Sequence, residues 1–156
     1  MGKPKPKTAP YIRNRKAGFK YEILEKIQCG IILLGTEVKS LREGQASLDE
    51  AFARHHRGSI WLRGMNITPY AFGNVNNHVA DRDRQLLLHQ EEITRLEAQI
   101  KIKGLTLVPL DLHFNERGIV KITLGLVRGK NVADKRQSIR DREDKRALAR
   151  TMRQRR

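Results

Sequence analysis

The net positive charge of this chain lies almost entirely at its two ends. The 156 residues carry 32 Lys and Arg against 17 Asp and Glu, a formal net charge of +15. Residues 1–20 contribute +7 and residues 128–156 contribute +8, so the segment 21–127 is electrically neutral. Hydrophobic residues make up 38% of the chain, enough for one modest core in a segment of that length. We therefore expect a single folded domain between two cationic segments.

Composition sets the expected boundaries of that domain. Residues 1–12 contain Pro4, Pro6 and Pro10 among lysines, which predicts disorder, and residues 13–130 are expected to form the domain. Residues 131–156 are basic and contain few apolar side chains but many good helix formers. We expect this tail to be disordered in the free protein and helical once a partner neutralises it. In isolation its arginines repel one another because they form i,i+4 rows: Arg136 and Arg140, then Arg142, Arg146 and Arg150.

Within the domain, the spacing of apolar residues predicts mostly strands. Five segments alternate or run as aliphatic stretches, and the last two flank a turn at Asn115–Gly118: residues 21–27, 30–38, 59–67, 104–114 and 119–127. Pro109 predicts an edge or a bulge in one of them. The intervening residues 68–80 are rich in Asn, Gly and Pro and predict a loop.

Two short helices are expected between the strands. Ser47 and Glu50 have the spacing of a capping box, which predicts a helix that ends near Arg54. Further on, one face of a second helix is marked by Ile93, Leu96 and Ile100. The predicted fold is mainly β: a small closed or partly open barrel of oligonucleotide-binding type, with two or three short helices and a conditionally helical tail.

Several function classes are disfavoured by residues that are rare or wrongly spaced. A single cysteine, Cys29, argues against a disulfide framework and a cysteine-rich zinc site, and a small buried thiol is expected. The longest aliphatic run, Ile31–Leu34, is far shorter than a membrane span. Basic residues precede any apolar stretch, so no secretion signal is expected. These features predict a soluble cytoplasmic protein without a membrane partner.

No catalytic or metal-binding pattern is evident. Gly125–Asn131 has three residues between its glycines where a phosphate-binding P-loop has four. The alternating acids and arginines of Asp81–Arg84 favour local ion pairs over a catalytic carboxylate pair. His55–His56 has no further ligand at zinc spacing. We expect no enzyme activity, no cofactor or metal and no small-molecule substrate.

Nucleic acid is the partner class that the two cationic ends predict. Each phosphate that a lysine or arginine neutralises releases counterions, which favours binding to a polyanion. The simpler alternative is that the basic ends only keep the protein soluble. Zinc-finger, RNP1 and GXXG patterns are lacking, and a small barrel favours folded RNA over duplex DNA. A structural ribosomal protein and an enzyme acting on RNA remain alternatives, and the RNA that co-purifies would distinguish them.

Several stretches between about residues 11 and 153 follow one recognisable pattern, and the most specific of them is GTEVKSLR at Gly35–Arg42. The other matching stretches are Asn14–Ala17, Gly30–Leu34, Asn66–Tyr70, Arg84–His89, Gly104–Leu110, Gly129–Lys130 and Asp134–Arg136. Together they resemble the SmpB family, the SsrA-binding proteins of bacterial trans-translation.

The resemblance implies a β-barrel that binds the tRNA-like domain of transfer-messenger RNA and is not an enzyme. A member of this family delivers that RNA to ribosomes stalled on messages without a stop codon. Its basic tail is expected to become helical in the vacant mRNA path near the small-subunit decoding region.

By position, the resemblance also implies site residues. The RNA-facing set is Asn14, Arg15, Lys16, Gln28, Leu87 and Lys121. The ribosome-facing tail set is Gly129, Lys130, Asp134, Lys135, Arg136, Ile139, Arg140 and Met152, to which the arginine rows add Arg142, Arg146 and Arg150.

Three positions depart from the pattern of that family. Gln28 replaces a common Glu, Gln85 replaces the Lys before the triple leucine, and Ala133 replaces a His or aromatic residue. Structural roles remain open for several residues: Leu87 could pack in the core or at the barrel rim, Asn14 could cap a turn, and Glu37 and Lys39 could pair across a strand.

Overall fold

The computed structural model describes residues 9–102, 104–130 and 132–154. Most of the predicted disordered N-terminus, residues 1–8, lies outside the described residues. Nine strands and four α-helices form the described part of the chain. The helices are α1 (Ala17–Lys20), α2 (Gly35–Arg42), α3 (Gln90–Ile100) and α4 (Val132–Gln154). The strands are β1 (Ile12–Arg13), β2 (Tyr21–Ile31), β3 (Ala46–Ser47), β4 (Phe52–His56), β5 (Ser59–Arg63), β6 (Asn66–Ile67), β7 (Arg84–Leu87), β8 (Leu105–Phe114) and β9 (Val120–Gly129).

Seven of these strands form one antiparallel sheet that closes on itself. The strand order is β1-β8-β4-β5-β7-β2-β9, and β9 pairs in turn with β8 along nearly its whole length. The strand pairing within the ring is shortest between β4 and β8, where Ala53 pairs with Leu107. The small strands β3 and β6 pair with each other outside the ring. The mainly β, barrel-like prediction is confirmed.

Alternation along the strands separates an apolar interior from a polar exterior. On β2, Ile27 and Cys29 are buried while Gln28 between them is exposed. On β9, Ile122 and Leu124 are fully buried, and Lys121 lies on the other face. The helix α3 closes the core with Ile93 and Leu96, as their spacing predicts, and α2 adds Leu41. A ring built this way presents a continuous outer surface of side chains from neighbouring strands.

Several local predictions are confirmed. Asn115–Gly118 forms the turn between β8 and β9, and Gly118 adopts the positive φ of 76° that favours glycine. The register of β8 shifts between Pro109 and Asp111, which is the predicted bulge. Residues 68–80 form a loop that contains a short 3-10 helix at Asn74–Asn76.

No helix among the described residues combines the length and apolar character needed to cross a membrane.

The predicted helix from Ser47 to Arg54 is wrong. The Ser47 hydroxyl oxygen does accept a hydrogen bond, from the Asp49 N–H at 3.3 Å, but this bond closes a turn rather than a helix. The chain then enters β4, which pairs with β5 and buries Ala53. Pairing across the ring therefore overrides the local capping pattern.

The predicted strand over residues 30–38 is wrong in its second half. The strand ends at Ile31 and α2 begins at Gly35. The cause is Glu37, whose carboxylate accepts a hydrogen bond from the Leu34 N–H at 2.8 Å and so satisfies a free donor at the helix start. A side chain in this role cannot pair across a strand, and Lys39 instead lies 5.5 Å from the centre of the Tyr70 ring.

Glu37 also forms a buried ionic cluster with two arginines from the far end of the loop. Glu37 and Arg84 are both 0% exposed, and Arg84 Nε donates to Glu37 Oε1 at 2.9 Å. Arg82 donates to both carboxylate oxygens at 3.1 and 2.9 Å. The remaining Arg84 donors bond the carbonyls of Met65 and Ala80. The predicted local pairing within Asp81–Arg84 is therefore wrong, and Asp83 pairs with Arg63 instead.

This cluster shifts the pKa of Glu37. Burial alone would raise the pKa, but the hydrogen bonds from Arg82 and the Leu34 N–H, together with the Arg84 charge, outweigh burial and hold it below its ordinary value. A carboxyl with a lowered folded-state pKa stabilises the fold above its unfolded-state pKa. That stabilisation is lost as the pH falls through the folded-state value.

We expect Glu37→Gln to destabilise the fold by about 3–5 kcal/mol, because it leaves the buried Arg84 guanidinium without its counter-charge. Urea unfolding between about pH 7 and pH 3 measures this. The wild type should lose stability on acidification, and the variant should lose less. The control is Asp83→Asn, which breaks a half-exposed ion pair and should cost no more than about 1 kcal/mol. Equal losses in the two variants would contradict the assignment.

Candidate nucleic-acid interface

Four positions form a row across the outer face of the ring. Leu87 on β7 pairs with Gly30 on β2, Gly30 pairs with Lys121 on β9, and Lys121 pairs with His113 on β8. The sequence neighbours of these residues along each strand point into the core, so the row points outward. Leu87 is 52% exposed. Its side chain lies over Gly30, where an added Cβ would come within 3.3 Å of the Leu87 Cβ.

A second row lies beside the first, two residues away from it on each of the strands β2, β9 and β8. Gln28 pairs with Thr123, and Thr123 pairs with Asp111. The two rows are joined by side chains: the Gln28 amide nitrogen lies 3.1 Å from His113 Nε2, and His113 Nδ1 lies 2.9 Å from Asp111 Oδ1. Together the rows form one polar surface with an apolar edge at Leu87, which we call the outer-face surface.

The outer-face surface brings together three of the residues implied by the resemblance. Gln28, Leu87 and Lys121 line one shallow pocket of about 300 Å³, together with Gly30, His89 and Glu92. A cation, an amide and an apolar side chain around a half-buried glycine can bind a phosphate, a polar base edge or ribose group, and the face of a sugar.

Cys29 lies between these residues in sequence but points the other way. It is 4% exposed and belongs to the core. Burial, and to a lesser degree the charge of Glu92, raise the pKa of its thiol to about 12, although Lys121 acts in the opposite direction. The thiol is therefore protonated at neutral pH. The prediction of a small buried thiol is confirmed.

Asn14, Arg15 and Lys16 lie elsewhere, at the opposite edge of β8 from β9. The strand β1 pairs with β8 at that edge, and the Asn14 N–H donates to the Leu110 carbonyl. The Asn14 side chain caps the following turn: its oxygen accepts from the Ala17 N–H at 3.2 Å, and its nitrogen donates to the Pro109 carbonyl at 2.9 Å. These bonds confirm that Asn14 caps a turn, which was the alternative left open by the sequence.

Asn14 holds two basic side chains at the surface. Arg15 is exposed. Lys16 Nζ lies 3.5 Å from a Glu50 carboxylate oxygen and 3.9 Å from one of Asp49. The described structure therefore gives Lys16 acidic neighbours that Lys121 does not have within ion-pair distance.

The tail leaves the ring at the end of β9. Gly129 pairs with Tyr21, and the Lys130 N–H donates to the Lys20 carbonyl. Lys130 Nζ donates to the Gly18 carbonyl and to the Ser138 hydroxyl, both at 2.8 Å. Lys130 therefore ties the start of α4 to α1.

Beyond this point α4 is almost entirely exposed. The exceptions among its described side chains are Lys135 and Ser138, which are partly buried. The exposed Arg142 guanidinium lies 5.9 Å from the Phe19 ring centre. Ile139 and Met152 are exposed, so they do not add to the core. The remaining predicted tail residues are Arg136, Arg140, Arg146 and Arg150, all exposed, and Asp134, which lies in the helix. The structure describes Val132–Gln154 as a helix in the chain alone. The predicted disorder of the free tail and its folding on a partner both stay predictions.

Sequence reasoning missed His113, Asp111 and Thr123 as members of the outer-face surface. The available signal is the placement of Asp111 and His113 at i and i+2 in a strand whose alternate residues are leucines. Within the described residues, no three His, Cys, Asp or Glu side chains are grouped to hold a metal ion.

The chain is similar over nearly its whole length to proteins of one family. The pattern of the family described as "SmpB protein" matches residues 11–154. The chain belongs to the SmpB family. Among relatives, the SsrA-binding protein of Chlorobaculum tepidum is 53% identical over 95% of this chain and 93% of its own length. The SsrA-binding protein of Syntrophobacter fumaroxidans is 48% identical over 100% and 99%.

A solved structure shares the fold of this SmpB-family chain. It is described as "tmRNA-SmpB: a journey to the center of the bacterial ribosome". The matched chain has 49% sequence identity and a TM-score of 0.68, with 80% of this chain and 87% of the other covered. The family resemblance noted from the sequence is confirmed.

The inward position of Cys29 can be tested by thiol labelling. With a pKa of about 12, about one thiol in ten thousand is ionised at pH 8. We expect Cys29 to react with Ellman's reagent only after denaturation. In the matched control, Cys29→Ala combined with Gln28→Cys, the thiol is one position along on the exposed face and should react within the mixing time of the native protein. Rapid native labelling of Cys29 would contradict this orientation.

Proposed function

We propose that this chain binds transfer-messenger RNA through its tRNA-like domain and delivers it to stalled ribosomes in trans-translation. The observation that supports this most strongly is the match to the SmpB family over residues 11–154, with relatives named SsrA-binding proteins. A neutral ring with a basic helix attached at one end suits a protein that engages two partners at once. The ring contacts the RNA and the tail contacts the ribosome.

The RNA contact is assigned to the outer-face surface. Lys121 supplies a cation for a phosphate, Gln28 a polar group for a ribose or base, and Leu87 an apolar contact. Asn14, Arg15 and Lys16 form a second contact across β8, in which Asn14 fixes the turn and the two basic residues approach phosphates. Contacts on both sides of β8 suit a folded RNA, which presents phosphates from several directions.

The ribosome contact is assigned to the tail. Gly129 and Lys130 form the joint, and α4 carries Lys135, Arg136, Arg140, Arg142, Arg146 and Arg150. A helix of 23 residues is about 34 Å long, a suitable reach along an RNA-lined channel. Phosphates there would neutralise the i,i+4 arginine rows that otherwise repel. Asp134, Ile139 and Met152 belong to the same contact.

The protein acts by binding, without catalysis, in the cytoplasm. This is supported by its relatives, which are named for binding. The alternative, a structural ribosomal protein, predicts ribosomal RNA as the partner instead.

Sequencing of the RNA that co-purifies with the tagged protein tests the proposed function. One small structured species with a tRNA-like end supports it. Ribosomal RNA at a fixed ratio in every preparation, without that species, would favour the ribosomal protein and contradict the proposal.

The salt dependence of RNA binding tests the assigned cations. Replacing Lys121 by Ala should make the slope of log affinity against log salt shallower by about one, because one phosphate contact is lost. Lys16→Ala should change the slope less, since Asp49 and Glu50 already partly neutralise Lys16. The control is Lys101→Ala, at the exposed residue that directly follows α3, which should bind as the wild type does. If the salt slope of Lys121→Ala equals that of the wild type, Lys121 does not contact a phosphate and its place in the interface is contradicted.

The separate role of the tail can be tested with a proline. Arg146→Pro should cost about 3 kcal/mol in α4 without reaching the ring, since Arg146 is exposed and far along the helix. We expect wild-type affinity for the RNA but a loss of ribosome rescue in a reconstituted translation assay. The matched control is Arg146→Ala, which removes the same charge and keeps the helix, and should retain most of the rescue. Normal rescue by the proline variant would mean that the tail acts in an extended form.

A further inference from the structure

We infer that His113 is a positioning residue for RNA binding: through a hydrogen-bonded chain from Asp111, it holds the Gln28 amide so that its carbonyl oxygen is available to the RNA. The inference rests on the proposed RNA contact at the outer-face surface and adds residues to which the family resemblance assigns no role. It also states which chemical group on the RNA meets Gln28.

The first step is the proton on the imidazole. Asp111 Oδ1 lies 2.9 Å from His113 Nδ1, and a carboxylate oxygen can only accept. The Nδ1 atom of His113 therefore carries the hydrogen. In a neutral imidazole the other nitrogen, Nε2, is then an acceptor.

The second step follows at Gln28. An acceptor at His113 Nε2 requires a donor, and the amide nitrogen of Gln28, at 3.1 Å, is that donor. The Gln28 carbonyl oxygen takes no part in this bond. An amide side chain without a partner presents its nitrogen or its oxygen with similar ease, and His113 removes that ambiguity.

The chain is fixed at its far end. The Thr123 hydroxyl donates to the same Asp111 oxygen at 2.9 Å, across a directly paired position of β9. Tyr11 stacks on the His113 ring, with centroids 6.1 Å apart and planes inclined by 23°. The imidazole is therefore held by a hydrogen bond at each nitrogen and by an aromatic ring on one face.

The RNA group that this geometry selects is a hydrogen-bond donor. A phosphate has only acceptors, so it suits the neighbouring Lys121 and not the Gln28 oxygen. A ribose 2′-hydroxyl or an exocyclic amino group provides the donor. The surface thus distinguishes a donor position at Gln28 from a phosphate position at Lys121.

A double-mutant cycle tests the inference, with the dissociation constant of the isolated tRNA-like RNA domain measured at one fixed pH for all variants. His113→Phe keeps a ring for Tyr11 to stack on and removes both nitrogens. We expect Gln28→Ala and His113→Phe each to weaken binding by about 3- to 10-fold without changing the salt slope, as one uncharged hydrogen bond is lost. The double variant should bind no more weakly than Gln28→Ala alone. His55→Phe, on β4, is the control and should bind as the wild type does.

A spectroscopic measurement on the free protein tests the proton position without relying on affinity. Imidazole nitrogen chemical shifts should show the Nδ1–H form of His113. In Asp111→Asn, whose amide can donate to Nδ1, the ring should change toward the Nε2–H form. That change would turn the Gln28 amide around, and RNA binding should weaken in this variant as well.

The outcomes separate the inference from the proposed function. Wild-type affinity of His113→Phe beside a weakened Gln28→Ala, effects that multiply in the double variant, or an Nε2–H ring in the wild type would each overturn the role of His113 alone. Wild-type affinity of Gln28→Ala would overturn both this role and the RNA contact assigned to Gln28. Binding of the RNA by the chain would still be decided separately, by Lys121→Ala and by the co-purified RNA.

Discussion

The carboxylate of Glu37 is the contact on which the arrangement of the ring most depends. It begins α2 by accepting the Leu34 N–H, and it binds two arginines that follow the long loop after β6. Arg84 then donates to the carbonyls of Met65 and Ala80, so one buried cluster joins the start of α2, the residue before β6, the end of the loop and the start of β7. Since β7 carries Leu87 and α2 follows the strand that carries Gly30, the cluster fixes one side of the outer-face surface. The buried charges are tolerated because nearly every donor has a partner.

The inner and outer faces of the same strands perform different tasks. Leu112, Ile122 and Cys29 meet inside the ring, while His113, Lys121 and Gly30 meet outside it one residue along. A change of register by one residue would exchange the two sets, so the core enforces the geometry of the surface. The polar chain from Asp111 to Gln28 spans three strands and depends on that register. The tail, in contrast, is tied to the ring mainly through Lys130 and Phe19.

Much of this arrangement could be predicted from the sequence, for physical reasons. The β8–β9 hairpin and α3 have strong apolar periodicity and clear turn residues, so local patterns and tertiary structure agree. Two segments differ from their local patterns because contacts outside each pattern decide their structure. Strand pairing with β5 overrides the capping pattern of Ser47–Arg54. The contacts of Glu37 with the Leu34 N–H and the two arginines make Gly35–Val38 helical. Gln28, Leu87 and Lys121 came from a family resemblance. Their meeting point, and the roles of His113 and Asp111, depend on strand register that no short sequence window contains.

The central claim is that the ring binds the RNA while the tail stays available for the ribosome. Backbone amide chemical shifts of the isotope-labelled full chain, followed as the tRNA-like RNA domain is added, test it most directly. The account predicts shifts at Gln28, Gly30, Leu87 and Lys121 and around Asn14–Lys16, with α4 beyond Arg142 unchanged. The largest shifts along α4, with the outer face of the ring unaffected, would contradict it.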